Sequence, residues 1–193
     1  QEEIDEVVDT LKSGWITTGP KTKSLEKKIA DYTNASRAVC LNSATAAMEL
    51  GLRLLGIGKG DEVITTPLTF VSSNHAIVLS GLKAVFADVD DTLCLDPKDV
   101  EKRITPKTKA ILYVGMGGNA GHYDQIVALC EKYGLKLVLD AAHMSGTRVN
   151  GRIPGKEAEV VIYSFQAVKN LPTADSGMIC FKRDDFDVIA RKK

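Results

Sequence analysis

The chain has few cysteines, few histidines and few aromatic residues. Its 193 residues include four cysteines, three histidines and 6% aromatic side chains. The cysteines show no CxxC spacing, and the histidines lack ligand spacing with one another or with the cysteines, so we expect no metal site. Three of the cysteines lie in apolar runs, where free cysteine packs as a small hydrophobic residue. This cysteine usage predicts a reduced, cytoplasmic setting.

The chain also has no excess of charge and no long apolar run. Its 25 basic residues balance 25 acidic ones, so no broad basic field would attract nucleic acid or an anionic membrane. No apolar run approaches the roughly 18 residues that a membrane helix needs. The charged start QEEIDEVVDTLK does not resemble a secretory signal. We therefore expect neither a nucleic-acid partner nor a membrane partner, and any anion must be bound locally.

Short apolar segments alternate with helical patterns along the whole sequence. Apolar residues make up 44% of the chain and charged residues 26%, as in ordinary globular proteins. Helix-length spacers separate most of the segments, which predicts a three-layer α/β/α sandwich around a mostly parallel seven-stranded sheet. The last two could be an antiparallel exception, because only one turn separates them. No linker divides the chain, so we expect a single domain over residues 1–193. The segments are AVCL, EVITT, AVFADV, AILYVG, LKLVLDA, VVIYSF and GMICFK.

Polar residues follow these strands, at the edge where such sheets bind ligands. In NSATAAMEL, Asn42 and Ser43 precede a helical run that contains Ala44 and Thr45. Backbone N–H groups at the start of a helix bind anions, which favours a phosphate site. The alternative is an ordinary helix cap by Ser43.

Four further residues at this edge each allow two interpretations. Asp140 ends the strand LKLVLD, where a buried carboxylate needs a cationic partner, or it caps the following turn. His143 is either a ligand-binding residue or a packed loop histidine. Phe70 could stack on a planar ligand or pack in the core. Lys169, in the turn between the last two strands, is either a nucleophile or a surface cation.

Together these groups match the needs of one cofactor, pyridoxal phosphate (PLP). Its phosphate needs N–H donors, its ring a stacking wall, its pyridinium nitrogen a carboxylate, and its aldehyde a lysine. The sequence therefore predicts a PLP site at the sheet edge.

Several long motifs also resemble those of a known family, the DegT/DnrJ/EryC1/StrS sugar aminotransferases. They occur in the family's order almost from end to end, which makes the resemblance specific. The stretch after Lys169, NLPTADSGM, replaces a glycine-rich family stretch. The matching motifs are SGWITTGP, NSATAAMELGLRLLGIGKGDEVITTPLTFVSSNHAI, ITPKTKAI, KYGLKLVLDAAH and YSFQAVKNL.

The resemblance implies a role for each matching residue. Lys169 would hold the cofactor covalently and move protons, and Asp140 would bond the pyridine nitrogen. His143 would approach the ring hydroxyl, and Thr18 would lie near the substrate. The remaining cofactor contacts implied are the Ala44 N–H, Thr45 and Ser164 at the phosphate and Phe70 against the ring.

The resemblance also implies a reaction and partners. We expect PLP-dependent transfer of an amino group from glutamate to a nucleotide-linked keto sugar, in a homodimer with shared active sites. We also expect the chain to be a fragment that lacks a C-terminal small domain. The alternatives are a PLP-dependent sugar dehydratase, which would carry histidine in place of Lys169, and a non-catalytic cofactor-binding module. A nucleotide-binding reductase fits less well, because no GxGxxG follows the first strand.

Overall fold

The structure, a computed structural model, describes residues 1–191 and contains seven α-helices and seven strands in one sheet. A short 3₁₀ turn, Met116–Gly118, follows β4. The helices are α1 (Glu2–Ser13), α2 (Pro20–Thr33), α3 (Ala44–Leu54), α4 (Ser72–Leu79), α5 (Pro97–Arg103), α6 (Tyr123–Tyr133) and α7 (Asp185–Ala190). The strands are β1 (Arg37–Leu41), β2 (Glu62–Thr65), β3 (Lys83–Phe86), β4 (Thr108–Val114), β5 (Lys136–Asp140), β6 (Val160–Ser164) and β7 (Gly177–Phe181).

The sheet has the strand order β1-β7-β6-β5-β4-β2-β3. Strands β3, β2, β4, β5 and β6 pair in parallel, whereas β7 is antiparallel to both of its neighbours. The predicted seven strands, the mostly parallel sheet and the antiparallel final pair are therefore confirmed. Because β7 is reversed, its first residue, Gly177, lies at the same edge as the last residues of β1 and β6.

Two hydrophobic cores cover the two faces of the sheet. Successive strand residues point to opposite faces, so Ala110 and Leu112 join one core while Ile111 and Tyr113 join the other. Helices α3, α4 and α7 contribute to the core around Leu112. Helices α2, α5 and α6 contribute to the core around Ile111. Helix α1 has no buried residue and lies outside this sandwich.

One helix boundary differs from the sequence-based prediction. The periodic pattern predicts that the second helix begins at Ser24, but it begins at Pro20 after an extended Gly19. Proline suits the first helical position, because its φ angle is already helical and the N–H that it lacks would have no helical acceptor. The prediction was therefore late by about one turn. None of the helices in residues 1–191 has the length and hydrophobicity that a membrane span requires.

Helix α3 approaches the sheet closely at Gly51. A β-carbon at this position would lie 3.0 Å from Val160 Cγ2 and 3.3 Å from Ile179 Cδ1. These distances are tighter than ordinary packing contacts, so the absent side chain lets α3 rest directly on β6 and β7. The approach matters for function because α3 begins at the ligand-binding edge.

We expect Gly51→Val to lower the free energy of unfolding by about 1–3 kcal/mol, because it forces extra methyl groups into a filled core. The matched control is Gly58→Val, since a β-carbon at Gly58 meets no atom within 4 Å. Urea unfolding of both variants measures the difference. Equal destabilisation of the two would contradict tight packing at Gly51.

Candidate active site

One cleft of about 640 Å³ lies over the carboxyl ends of β1, β2, β4, β5 and β6. A second cleft of about 670 Å³, between α2 and the loop before β6, is lined by none of the predicted site residues. The structure thus brings together at one place all seven residues predicted for the cofactor site, although Thr18 is exposed and does not line the cleft. The seven are Ala44, Thr45, Phe70, Asp140, His143, Ser164 and Lys169.

The start of α3 forms one end of this cleft. Ser43 has an extended backbone, and its hydroxyl accepts a hydrogen bond from the Ala46 N–H at 3.2 Å. The cap interpretation is therefore correct for Ser43. Within residues 1–191, the N–H groups of Ala44 and Thr45 have no protein acceptor. Two donors at the positive end of an eleven-residue helix therefore remain available to an anion.

A glycine that sequence reasoning missed supports this helix end. Gly177 pairs with Leu41 of β1 and with Ser164 of β6. A β-carbon at Gly177 would lie 2.4 Å from Ala44 N, a distance that no real side chain tolerates. Only glycine therefore lets β7 pass directly beneath the start of α3. A single glycine at the start of a strand does not indicate this role in the sequence, because the role depends on how β7 pairs and on what packs against it.

Asp140 is the buried carboxylate of the cleft, with 4% of its surface exposed. Its Oδ2 accepts from Ser73 Oγ at 2.8 Å, and its Oδ1 accepts from the Ala142 N–H at 3.1 Å. Burial raises the pKa of Asp140, and these two hydrogen bonds act in the opposite direction. Within residues 1–191, no basic nitrogen lies within 4.0 Å of this carboxylate. The bond from Ala142 caps the turn after β5, but it does not supply the cation that a buried acid needs.

His143 faces the same cleft and is half-buried. The Gly117 N–H points toward its Nδ1 at 3.3 Å, so Nδ1 is the acceptor and the neutral ring carries its proton on Nε2. Burial lowers the pKa of His143, and the nearby charge of Lys169 lowers it further. The imidazole is therefore neutral at physiological pH and presents an N–H donor at Nε2.

Lys169 lies half-buried in the turn that joins β6 to β7. Its N–H donates to the Gln166 carbonyl at 2.8 Å, and Asn170 Nδ2 donates to the Ser145 carbonyl at 2.7 Å. The first bond lies within the turn, and the second ties the turn to the loop that carries His143. Ala174 in the same turn has a φ of +72°, a left-handed conformation that costs a residue other than glycine about 1 kcal/mol.

Phe70 lines the same cleft and exposes 72% of its surface. The core-packing interpretation of this ring is therefore wrong. A large apolar side chain that projects from a polar loop is available to a flat ligand. Residues 1–191 contain no cluster of three or more His, Cys, Asp or Glu side chains that could hold a metal ion.

Comparisons with known proteins give the family. The model of the DegT/DnrJ/EryC1/StrS aminotransferase family matches residues 1–192. The spore coat polysaccharide biosynthesis protein SpsC of Bacillus subtilis is 45% identical over 180 residues, which are 93% of this chain and 46% of SpsC.

Solved structures agree with the family match. The PLP form of Spr1654 from Streptococcus pneumoniae is 40% identical, with a TM-score of 0.91 over 98% of this chain and 53% of that one. The aminotransferase TlmJ from Streptoalloteichus hindustanus is 35% identical, with a TM-score of 0.95 over 100% of this chain and 53% of its own. The chain thus spans about half the length of these relatives. It belongs to the DegT/DnrJ/EryC1/StrS aminotransferase family.

Proposed function

We propose that residues 1–193 form the single cofactor-binding domain of a PLP-dependent sugar aminotransferase. The observation that carries the proposal is the buried carboxylate of Asp140, which has no cationic partner within 4.0 Å in residues 1–191. It faces the same cleft as Lys169 and the open start of α3. A protonated pyridine nitrogen would supply the cation that this carboxylate lacks.

The other lining residues fit the remaining parts of PLP. The N–H groups of Ala44 and Thr45, with the hydroxyls of Thr45 and Ser164, would hold its phosphate. Phe70 would cover one face of its ring. When bound, PLP supplies an aldehyde that bonds to amines and a ring that accepts electrons from the carbon next to the nitrogen.

The residues of the chain itself supply proton transfer and orientation. Lys169 Nζ would act as nucleophile and then carry a proton to and from the reacting carbon. Asp140 would keep the pyridine nitrogen protonated, because a nearby negative charge favours the protonated form. His143 would donate from Nε2 to the oxygen on the ring. The bond from Asn170 to the Ser145 carbonyl, which ties the Lys169 turn to the His143 loop, would help to fix the positions of these groups.

We further propose glutamate as the amino donor and a nucleotide-linked keto sugar as the acceptor. The likeness to SpsC, whose name places it in polysaccharide biosynthesis, supports a sugar acceptor. The proposed assembly is a cytoplasmic homodimer with shared active sites. Lys169 argues against the dehydratase alternative, which would have histidine there.

The covalent link to the cofactor gives the first test. We expect full-length protein to bind PLP with a yellow absorbance band, and borohydride to fix the cofactor onto Lys169 irreversibly. Peptide mapping by mass spectrometry identifies the labelled lysine. The variant Lys169→Ala should take up no label, whereas Lys98→Ala, which removes an exposed lysine of α5 outside the cleft, should label normally. A label on any other lysine would overturn the assignment.

Transamination separates an enzyme from a non-catalytic module. We expect full-length protein loaded with PLP to convert glutamate to 2-oxoglutarate in a single turnover, with the yellow band shifting to shorter wavelength. Mass spectrometry of the product and the absorbance change measure the step. Normal PLP binding without any 2-oxoglutarate would favour the dehydratase or the binding module.

Asp140→Asn should separate stability from cofactor binding. Because burial raises the pKa of Asp140, its charged form costs stability, and this cost grows as the pH rises above the ordinary aspartate pKa of about 3.9. Asparagine avoids that cost, since its oxygen can accept from Ala142 and its amide can donate to Ser73. We expect the cofactor-free variant to be more stable than wild type at neutral pH, but not below about pH 4, and to bind PLP more weakly.

Urea unfolding at both pH values and PLP titration by absorbance check this expectation. The matched control is Asp175→Asn, because Asp175 lines the same cleft but is exposed. A variant Asp140→Asn that is less stable than wild type at neutral pH would show that the charged carboxylate is not the costly form.

A further inference from the structure

A chain of three side chains leads from the wall of the cleft to the buried carboxylate. Ser73 Oγ donates to Asp140 Oδ2 at 2.8 Å, and Thr69 Oγ1 lies 2.8 Å from Ser73 Oγ. Ser73 is 1% exposed and Asp140 4% exposed, so the bond between them is shielded from water. Thr69 and Ser73 both line the cleft.

The proton count fixes the direction of this chain. A serine hydroxyl has one proton, and an ionised carboxylate can only accept. When Asp140 is ionised, the proton of Ser73 is therefore used on Asp140. Thr69 must then be the donor in the Thr69–Ser73 bond, and the sequence of donation runs from Thr69 through Ser73 to Asp140.

The two bonded partners of Asp140 come from different parts of the fold. Ala142 belongs to the loop directly after β5, whereas Ser73 lies on α4, which follows β2. Strand β4 separates β2 from β5 in the sheet. Each carboxylate oxygen thus accepts one hydrogen bond, and the two bonds, from two different elements, limit rotation of the carboxylate.

Hydrogen bonds and nearby charges oppose the effect of burial on the pKa of Asp140. Burial raises the pKa of Asp140, and the bond from Ser73 is the largest of the effects that lower it. The Ala142 N–H, His143 and Lys169 lower it further. Of these, Ser73 is the side chain that touches the carboxylate directly.

We propose that Ser73 is a positioning residue for the PLP site, which fixes the orientation of the Asp140 carboxylate and favours its charged form, with Thr69 directing the Ser73 hydroxyl. This role rests on the proposed function, because the carboxylate is useful in this state only toward a protonated ring nitrogen. Ser73 acts through Asp140 and has no assigned contact with the cofactor.

Three variants of the full-length protein test the role. Ser73→Ala removes the donor, and Ser73→Thr retains it. Ser80→Ala is the matched control, because Ser80 ends the same helix with a buried hydroxyl that has no hydrogen-bond partner in the described part of the chain. We expect Ser73→Ala to weaken PLP binding about tenfold or more, as for loss of a hydrogen bond to a charged group. Ser73→Thr and Ser80→Ala should bind PLP as wild type does.

A spectroscopic readout distinguishes positioning from a merely structural role. The absorbance of bound PLP, followed against pH, should change its midpoint in Ser73→Ala and return to the wild-type midpoint in Ser73→Thr. Thr69→Val should shift the midpoint in the same direction by a smaller amount, because Ser73 keeps its own proton. Thr69→Val decides the matter if Ser73→Ala does not fold, as judged by near-ultraviolet circular dichroism.

Failure of this proposal is distinguishable from failure of the proposed function. If wild type binds PLP and Ser73→Ala has the same affinity and the same pH midpoint, Ser73 has no positioning role. If wild type binds no PLP, the proposed function is wrong, and the role of Ser73 is decided in the cofactor-free protein. There, the ¹³C NMR signal of the Asp140 carboxyl is assigned with the help of Asp140→Asn. It should titrate at higher pH in Ser73→Ala than in wild type. An unchanged titration would overturn the proposal.

Discussion

The cleft depends on one unfavourable arrangement, a carboxylate placed at the end of a buried strand. Asp140 ends β5 in the middle of the sheet, where removal from water raises its pKa. Hydrogen bonds from Ser73 and Ala142 offset part of that cost without neutralising the charge. A buried anion held in this way selects for a cationic ligand group, because only an opposite charge recovers the remaining energy. The carboxylate therefore gives the cleft a preference for a cationic group.

The order of the strands explains why the other groups meet this carboxylate. Residues that are far apart in sequence follow the carboxyl ends of neighbouring parallel strands, so the sheet alone brings α3, Phe70 and His143 to one edge. The reversed strand β7 adds the remaining group, because the turn between β6 and β7 must begin and end at that edge. Lys169 lies in this turn. The geometry of the site is thus mainly a property of the sheet.

The sequence predicted the site residues that lie at strand ends. It did not predict the residues whose roles depend on contact between distant elements. Asp140 and Lys169 could be found because apolar strands and their boundaries are visible in the residues themselves. Ser73 looked like any polar residue of a helix, and Gly177 like any strand glycine, because their roles exist only where α4 meets β5 and β7 meets α3. The start of α2 was missed for a local reason, since Pro20 was taken as part of the preceding loop.

The pairing of β1 with β7 has a consequence for how the chain folds. Leu41 is paired with Gly177, although five strands and four helices lie between them in the sequence. Closing so long a loop costs entropy before any contact compensates for it, and such non-local pairings slow folding. In the described chain β1 pairs only with β7, so during synthesis it cannot join the sheet before β7 has left the ribosome. A chain interrupted before β7 would therefore contain the residues at the start of α3 without the strand that supports them.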